Sequence, residues 1–171
     1  MTIRSWRFLA MMANALFMSA AVAHLMELPS KMKYDPQLYV RLQHTLYPNF
    51  GLIGGIGEII AVVTTLGLAY TMHRRHLPAF PLTAFAAGCL VAAHAAFWIF
   101  IQPVNQAFAS WDLNAIPGNW TLWRNQWEYT HAVRAVLSIA ALGALMISAL
   151  RETPEAASQR LTVHRPAQAH L

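Results

Sequence analysis

Three glutamates, three histidines and one arginine fall inside stretches of sequence that are otherwise apolar: His24 and Glu27, then Glu58, then His94, then Glu128, His131 and Arg134. A charged or titratable group in apolar surroundings costs free energy unless it is paired or used, so each is a functional-site candidate. His24-x-x-Glu27 and Glu128-x-x-His131 have i, i+3 spacing, which puts each pair on one helix face. A Glu-x-x-His pair facing carboxylates and imidazoles on neighbouring helices is the donor pattern of di-iron and di-manganese bundle sites. The six donors His24, Glu27, Glu58, His94, Glu128 and His131 suit iron, copper, zinc or manganese. The same groups suit acid-base work, with His131, Glu58 and Glu128 moving protons and Arg134 steadying a developing anion. A plainer reading pairs Glu27 with Lys31 and Glu128 with Arg124, both at i, i+4.

The elements that must position these residues are four apolar runs, at about 8–28, 50–72, 79–101 and 126–150. Each is long enough to cross a bilayer, which takes roughly 20 helical residues. Backbone groups in lipid must be bonded internally, so the runs are helices. On this reading His24, Glu58, His94 and His131 all lie roughly 6 to 12 Å from the same membrane face, at 1.5 Å per residue. Asp35-Pro36 reads as an N-cap followed by proline in the first turn, opening a short amphipathic helix that lies at the interface. Gln43, His44 and Tyr47 on that segment either line an entrance or contact headgroups, the latter being the simpler role. The stretch from Gln102 to Asn125, with Trp111, Trp120 and Trp123, reads as an interfacial loop or lid in which Asn105 points back to the site. Gly51, Gly54, Gly55 and Gly57 read as close helix packing, and Asn14 as a bridge between helices. Residues 151–171, with His164 and His170, read as a disordered polar tail.

Composition agrees: the 171 residues are 57% hydrophobic and 11% charged, where a soluble domain carries about 25% charged residues. The fold class is therefore all-α, an integral membrane four-helix bundle over residues 1–150. The net charge of +5 reflects orientation and not nucleic-acid binding. Arg4, Arg7, Arg74, Arg75 and Arg151 fall on one side, Lys31, Lys33, Arg41 and Arg124 on the other. The positive-inside bias then puts both termini in the cytoplasm, with a bacterial inner (cell) membrane as the expected location. Arg4 and Arg7, an apolar run and Ala21-Val22-Ala23 also fit a cleavable signal peptide, but the apolar run continues past that motif, which favours a retained span. The single cysteine, Cys89, allows no internal disulfide and reads as a small buried residue.

The string His24-Leu25-Met26-Glu27-Leu28-Pro29-Ser30-Lys31, with Leu46-Tyr47, Glu58, Phe97-Trp98, Pro103-Val104-Asn105 and Arg124 to Arg134 (RNQWEYTHAVR), resembles the anthrone oxygenase-like family of small four-helix membrane proteins. The W-E-x-x-H-x-x-R motif is its most specific part, and the resemblance extends over about residues 8–150. It implies O2-dependent oxidation of a small lipophilic substrate, reportedly without an added cofactor in fungal members, with His24, Glu58, Glu128 and His131 as site residues. Two versions stand: a metal held by the six donors activates O2, or His131 or Glu58 removes an acidic C–H proton and the carbanion reacts with O2 directly. Arg134 or Arg124 would steady the anion, Trp98, Trp127 and Tyr129 would wall the site, and Asn105, Arg124 and Tyr47 would flank its entrance. The expected partners are the lipid bilayer, the substrate and O2. A proton-coupled transporter and an accessory subunit with a structural metal are the non-oxygenase alternatives. The first needs polar steps across the whole membrane, and the half nearer the termini holds only Asn14 and a few residues such as Thr64, Thr65 and Ser138.

Overall fold

A computed structural model describes residues 2–152. The tail expected beyond Glu152, with His164 and His170, lies outside the described residues. Helix α1 spans Ile3–Lys31 and is capped by Thr2, whose Oγ1 accepts from the Ser5 N–H at 3.2 Å. Helix α2 spans Pro36–Thr45, and the Asp35 carboxylate accepts from the Leu38 N–H at 2.8 Å, as the Asp-Pro pair leads one to expect. Helix α3 spans Tyr47–Arg74, α4 Phe80–Ala96, α5 Gln102–Ser110 and α6 Trp120–Arg151.

Four long apolar helices result, since α4 runs through a π-helical turn at Phe97–Ile101 directly into α5. The third span therefore does not stop near Ile101, and the loop expected from Gln102 shrinks to the residues between Ser110 and Trp120. Proline is tolerated in the first turn of a helix, so Pro103 opens α5 and the π turn absorbs the register change. Carbonyls at this irregularity are taken up by α6: Gln126 Nε2 donates to the Phe100 oxygen at 2.8 Å, and Arg134 Nε to the Ala93 oxygen at 3.2 Å.

The spans form a ring in which α1 packs on α3 and α6, and α4 on α3 and α6. Short connections make neighbours antiparallel. Toward the chain termini the core is built from small residues such as Ala10, Ala13, Ala61, Ala86, Ala141 and Ala144, which let the helices approach closely. Asn14 does bridge helices there, donating to the Ser138 carbonyl at 3.4 Å. At the opposite end the core is aromatic, with Tyr39, Tyr47, Phe108 and Trp127 beneath α2. Leu52, Ile53, Tyr70 and Val136 project from the outer surface, as a lipid-facing wall requires. Cys89 is buried and free.

Candidate functional site

The α2 end of the bundle holds two polar layers. Lys31 closes the upper one; it is 2% exposed. Its Nζ sits 3.0 Å from Glu27 Oε2 and 3.4 Å from Glu128 Oε1, and over the Tyr47 and Trp127 rings at 4.7 Å each. Tyr39 reaches down from α2 to donate to Glu128 Oε1 at 2.9 Å, and Gln43 Nε2 donates to the Tyr39 oxygen at 3.2 Å. Burial, with the Glu128 carboxylate beside it, pushes the Tyr39 phenol up, so it stays protonated and donates. Tyr47 donates to Glu27 Oε2 at 2.8 Å. Helix α2 is thus a cap bonded to the bundle, not a helix resting on headgroups: Tyr39, Gln43 and Tyr47 are buried, and a ring nitrogen of His44 donates to the Phe108 carbonyl at 2.7 Å.

One helical turn deeper, Arg134 Nη2 donates to Glu58 Oε1 at 2.8 Å, while Nη1 lies 3.4 Å from His131 Nδ1. His94 Nδ1 approaches the other Glu58 oxygen at 3.4 Å, and Trp98 Nε1 donates to His94 Nε2 at 3.1 Å. A guanidinium has only donors, so His131 Nδ1 accepts and the neutral ring carries its proton on Nε2. His24 packs on His131 with ring centroids 4.4 Å apart and planes inclined by 43°, and Trp127 packs on both, at 5.1 and 4.1 Å. His24 Nδ1 lies 3.8 Å from Glu27 Oε2 and makes no hydrogen bond.

Between these layers and the cap lies a chamber of about 700 Å³, within the size of pockets that enclose small molecules. His24, Glu58, His131, Arg134, Asn105 and Trp127 line it, with Phe17, Phe97 and Phe108 as further walls and Gln43, His44 and Tyr47 beneath the cap. Its rim at Pro48, Phe50, Gly51 and Leu52 is exposed, so the mouth opens beside the start of α3. Gly51, Gly54 and Gly55 line this wall, and a Cβ added at any of them meets nothing within 4 Å. Neither they nor Gly57, where an added Cβ also meets nothing, are packing glycines, contrary to the expectation; Gly67 is the packing glycine of α3, with the Trp6 ring 3.0 Å from its would-be Cβ.

The six expected ligands are accordingly not one donor set. Among the described residues no three His, Cys, Asp or Glu side chains converge on a point. Each carboxylate already faces a cation: Glu58 faces Arg134, and Glu27 and Glu128 face Lys31. Glu128 does not pair with Arg124, which reaches the Met32 carbonyl and the Trp120 ring outside the chamber. His94 approaches Glu58 from behind and does not line the chamber. Trp98 and Tyr129, expected as walls, are more than half exposed on the outer surface. These donors do not fit a transition metal as a group, because a second cation at any carboxylate would meet the ammonium or guanidinium already there.

Sequence reasoning missed Lys31 and Tyr39. Lys31 was legible as an i, i+4 partner of Glu27 but not as the counter-charge of Glu128. A charge count carried the signal: three glutamates at one depth need more cations than Arg134 alone. Tyr39 sat on an amphipathic stripe whose apolar face has no partner identifiable from sequence.

A family model described as anthrone oxygenase matches residues 52–144, more than half of the chain, from the glycine wall of α3 through Glu58, Asn105 and the Trp127–Arg134 motif. No curated protein and no solved structure matches. With more than half of its length matched, including the chamber residues Glu58, Asn105, Trp127, His131 and Arg134, the chain belongs to the anthrone oxygenase family.

Proposed function

We propose that this protein is an integral-membrane oxygenase that converts an acidic C–H position of a small lipophilic molecule to a carbonyl, using O2 and side chains alone. The carrying observation is the pair His24 and His131, packed against each other in one chamber whose mouth opens between membrane-facing residues. With the termini cytoplasmic, as the arginine distribution implies, that chamber lies toward the outer face.

The two imidazoles have different surroundings. Arg134 holds His131 as the Nε2–H tautomer, a neutral donor. His24 has no such donor on either nitrogen among the described residues and is free to act as base, and the Glu27 carboxylate 3.8 Å from its Nδ1 stabilises the imidazolium that forms. His131 and Glu58 are both engaged by Arg134, which supports His24 as the base in their place. The reaction balances as follows. His24 takes the proton from CH2, and the electron pair delocalises into the conjugated carbonyl. The resulting enolate passes one electron to O2, and the two radicals combine to a peroxide anion. The imidazolium protonates that anion, and the hydroperoxide loses water to give C=O. The sum is CH2 + O2 → C=O + H2O, and the base is regenerated. Phe17, Phe97, Phe108 and Trp127 exclude water from the carbanion.

The test is oxygen uptake by the detergent-purified protein with anthrone as probe, alongside elemental analysis of the same sample. Uptake without added cofactor, reduced at least 100-fold in His24→Ala, is expected for loss of a general base. Absence of uptake by the unaltered protein overturns the oxygenase reading. Stoichiometric metal whose removal stops uptake overturns the side-chain version.

A further inference from the structure

The proposed reaction puts negative charge on a carbonyl oxygen, and that oxygen needs a donor. The cations that sequence offers for it are engaged elsewhere. Arg134 directs Nε to the Ala93 carbonyl, Nη2 to Glu58 and Nη1 to His131. Arg124 and Lys31 do not line the chamber.

Asn105 does line it, one turn beyond the π-helical segment that sets its register on α5. Trp127 Nε1 bonds Asn105 Oδ1 at 2.8 Å. An indole N–H only donates, so the amide oxygen must be the atom that faces it. The amide orientation is therefore forced, and the Asn105 NH2 group is left with no hydrogen-bond partner among the described residues. Trp127 is itself fixed, buried against His24, His131 and Tyr47. One indole thus holds both the imidazole pair and the amide, so the spacing between base and donor is built into a rigid side chain.

The geometry assigns Asn105 as the donor to the substrate's carbonyl oxygen, and an uncharged carbonyl compound as the ligand class the chamber takes. This deepens the oxygenase reading and rests on it. A neutral amide donor strengthens its bond as the oxygen gains charge in the transition state. A carboxylate ligand is disfavoured, because no unpaired cation lines the chamber to meet a buried anion.

Binding separates this assignment from the oxygenase reading. The probes are anthraquinone, which carries carbonyl oxygens, and anthracene, which has the same ring frame without them. Trp fluorescence quenching in detergent reads their affinities, and infrared difference spectroscopy reads the anthraquinone C=O stretch. In the unaltered protein anthraquinone binds more tightly than anthracene, and its stretch moves to lower frequency. Asn105→Asp keeps an oxygen for Trp127 and removes the NH2; Asn105→Leu removes both, and serves if the aspartate variant fails to fold. In either folded variant the preference for anthraquinone falls about 10-fold, the value of one lost hydrogen bond near 1.4 kcal/mol. The frequency shift disappears, and kcat for anthrone falls about 100-fold, as for loss of one oxyanion donor. An undiminished preference and an unchanged stretch in a folded variant overturn the assignment, even if oxygen uptake is real. Conversely, no oxygen uptake with the preference and stretch behaving as stated removes the oxygenase reading and leaves Asn105 as a carbonyl donor.

Discussion

Tyr39→Phe removes one oxygen atom and tests whether α2 is a cap bonded to the bundle. The phenol is fully buried, and it is the donor that joins α2 to Glu128 of α6. A hydrogen bond to an ionised group is worth about 1.5–3 kcal/mol net. Bonds between membrane helices average less, about 0.6 kcal/mol, because competing partners exist in the unfolded reference. Here few competitors exist: one Glu128 oxygen has no other donor than Tyr39 and the Lys31 ammonium, and the other has none. Gln43 also loses the oxygen it donates to. A cost of about 2 kcal/mol follows, which is close to 30-fold in an opening equilibrium. Hydrogen exchange in detergent reads it: the α2 amides that follow Pro36 exchange about 30-fold faster in the variant, with those of α4 unchanged. The bond also has a pH signature. Its folded-state phenol titrates above the ordinary tyrosine value of about 10, so the contribution is complete below that pH and is lost as pH rises beyond it. Exchange in α2 of the unaltered protein therefore accelerates in strong alkali, while that of Tyr39→Phe, already fast, loses this component. Equal α2 exchange in the two proteins near neutral pH refutes the cap.

Two further substitution sets follow from the same geometry. Glu58→Leu strands the Arg134 guanidinium in an apolar wall and lowers stability by about 3–5 kcal/mol, whereas adding Arg134→Met recovers most of that loss; thermal unfolding of the single and double variants measures it, and an equal loss in both counts against a buried pair. Gly54→Ala adds a methyl that meets nothing and raises stability by up to about 1 kcal/mol through helix propensity, while Gly54→Leu fills the chamber and weakens anthraquinone binding without unfolding the protein. Gly67→Ala shows no such gain, because the Trp6 ring stands 3.0 Å from the added carbon.

The number of spans, their order and the helix opened by Asp35-Pro36 were readable, because apolar length and capping chemistry are local properties, whereas the run of the third span past Ile101 to Ser110 was not, because Pro103 and the polar residues around it read as a loop. Depth was readable too: rise per residue put His24, Glu58 and His131 at one level, and the structure joins all three to one chamber. What spacing leaves open is the rotation of each helix about its own axis. Trp98 is at the right depth but turns to the outer surface, His94 meets Glu58 without lining the chamber, and Glu128 turns up toward α2. The glycines of α3 show the same limit, since a missing side chain looks identical whether it faces a neighbour or a void.

Charge is where depth and rotation meet. Three carboxylates at one level, read alone, suggest a metal cage. Read with Lys31 and Arg134 they form two layers that are nearly neutral without one. Breaking such a buried pair is far costlier than replacing the whole of it with apolar residues, so pairs of this kind are weak evidence of stabilisation and better read as devices that orient something. What they orient here is specific. Arg134, anchored by Glu58, sets the tautomer of His131; Glu27, anchored by Lys31 and Tyr47, lies 3.8 Å from His24 Nδ1, near enough to attract a charge that forms on that ring. The carboxylates chosen from sequence as reactive groups are thus each held by a cation, and under the proposed function the chemistry would fall to the two imidazoles and the amide beside Trp127.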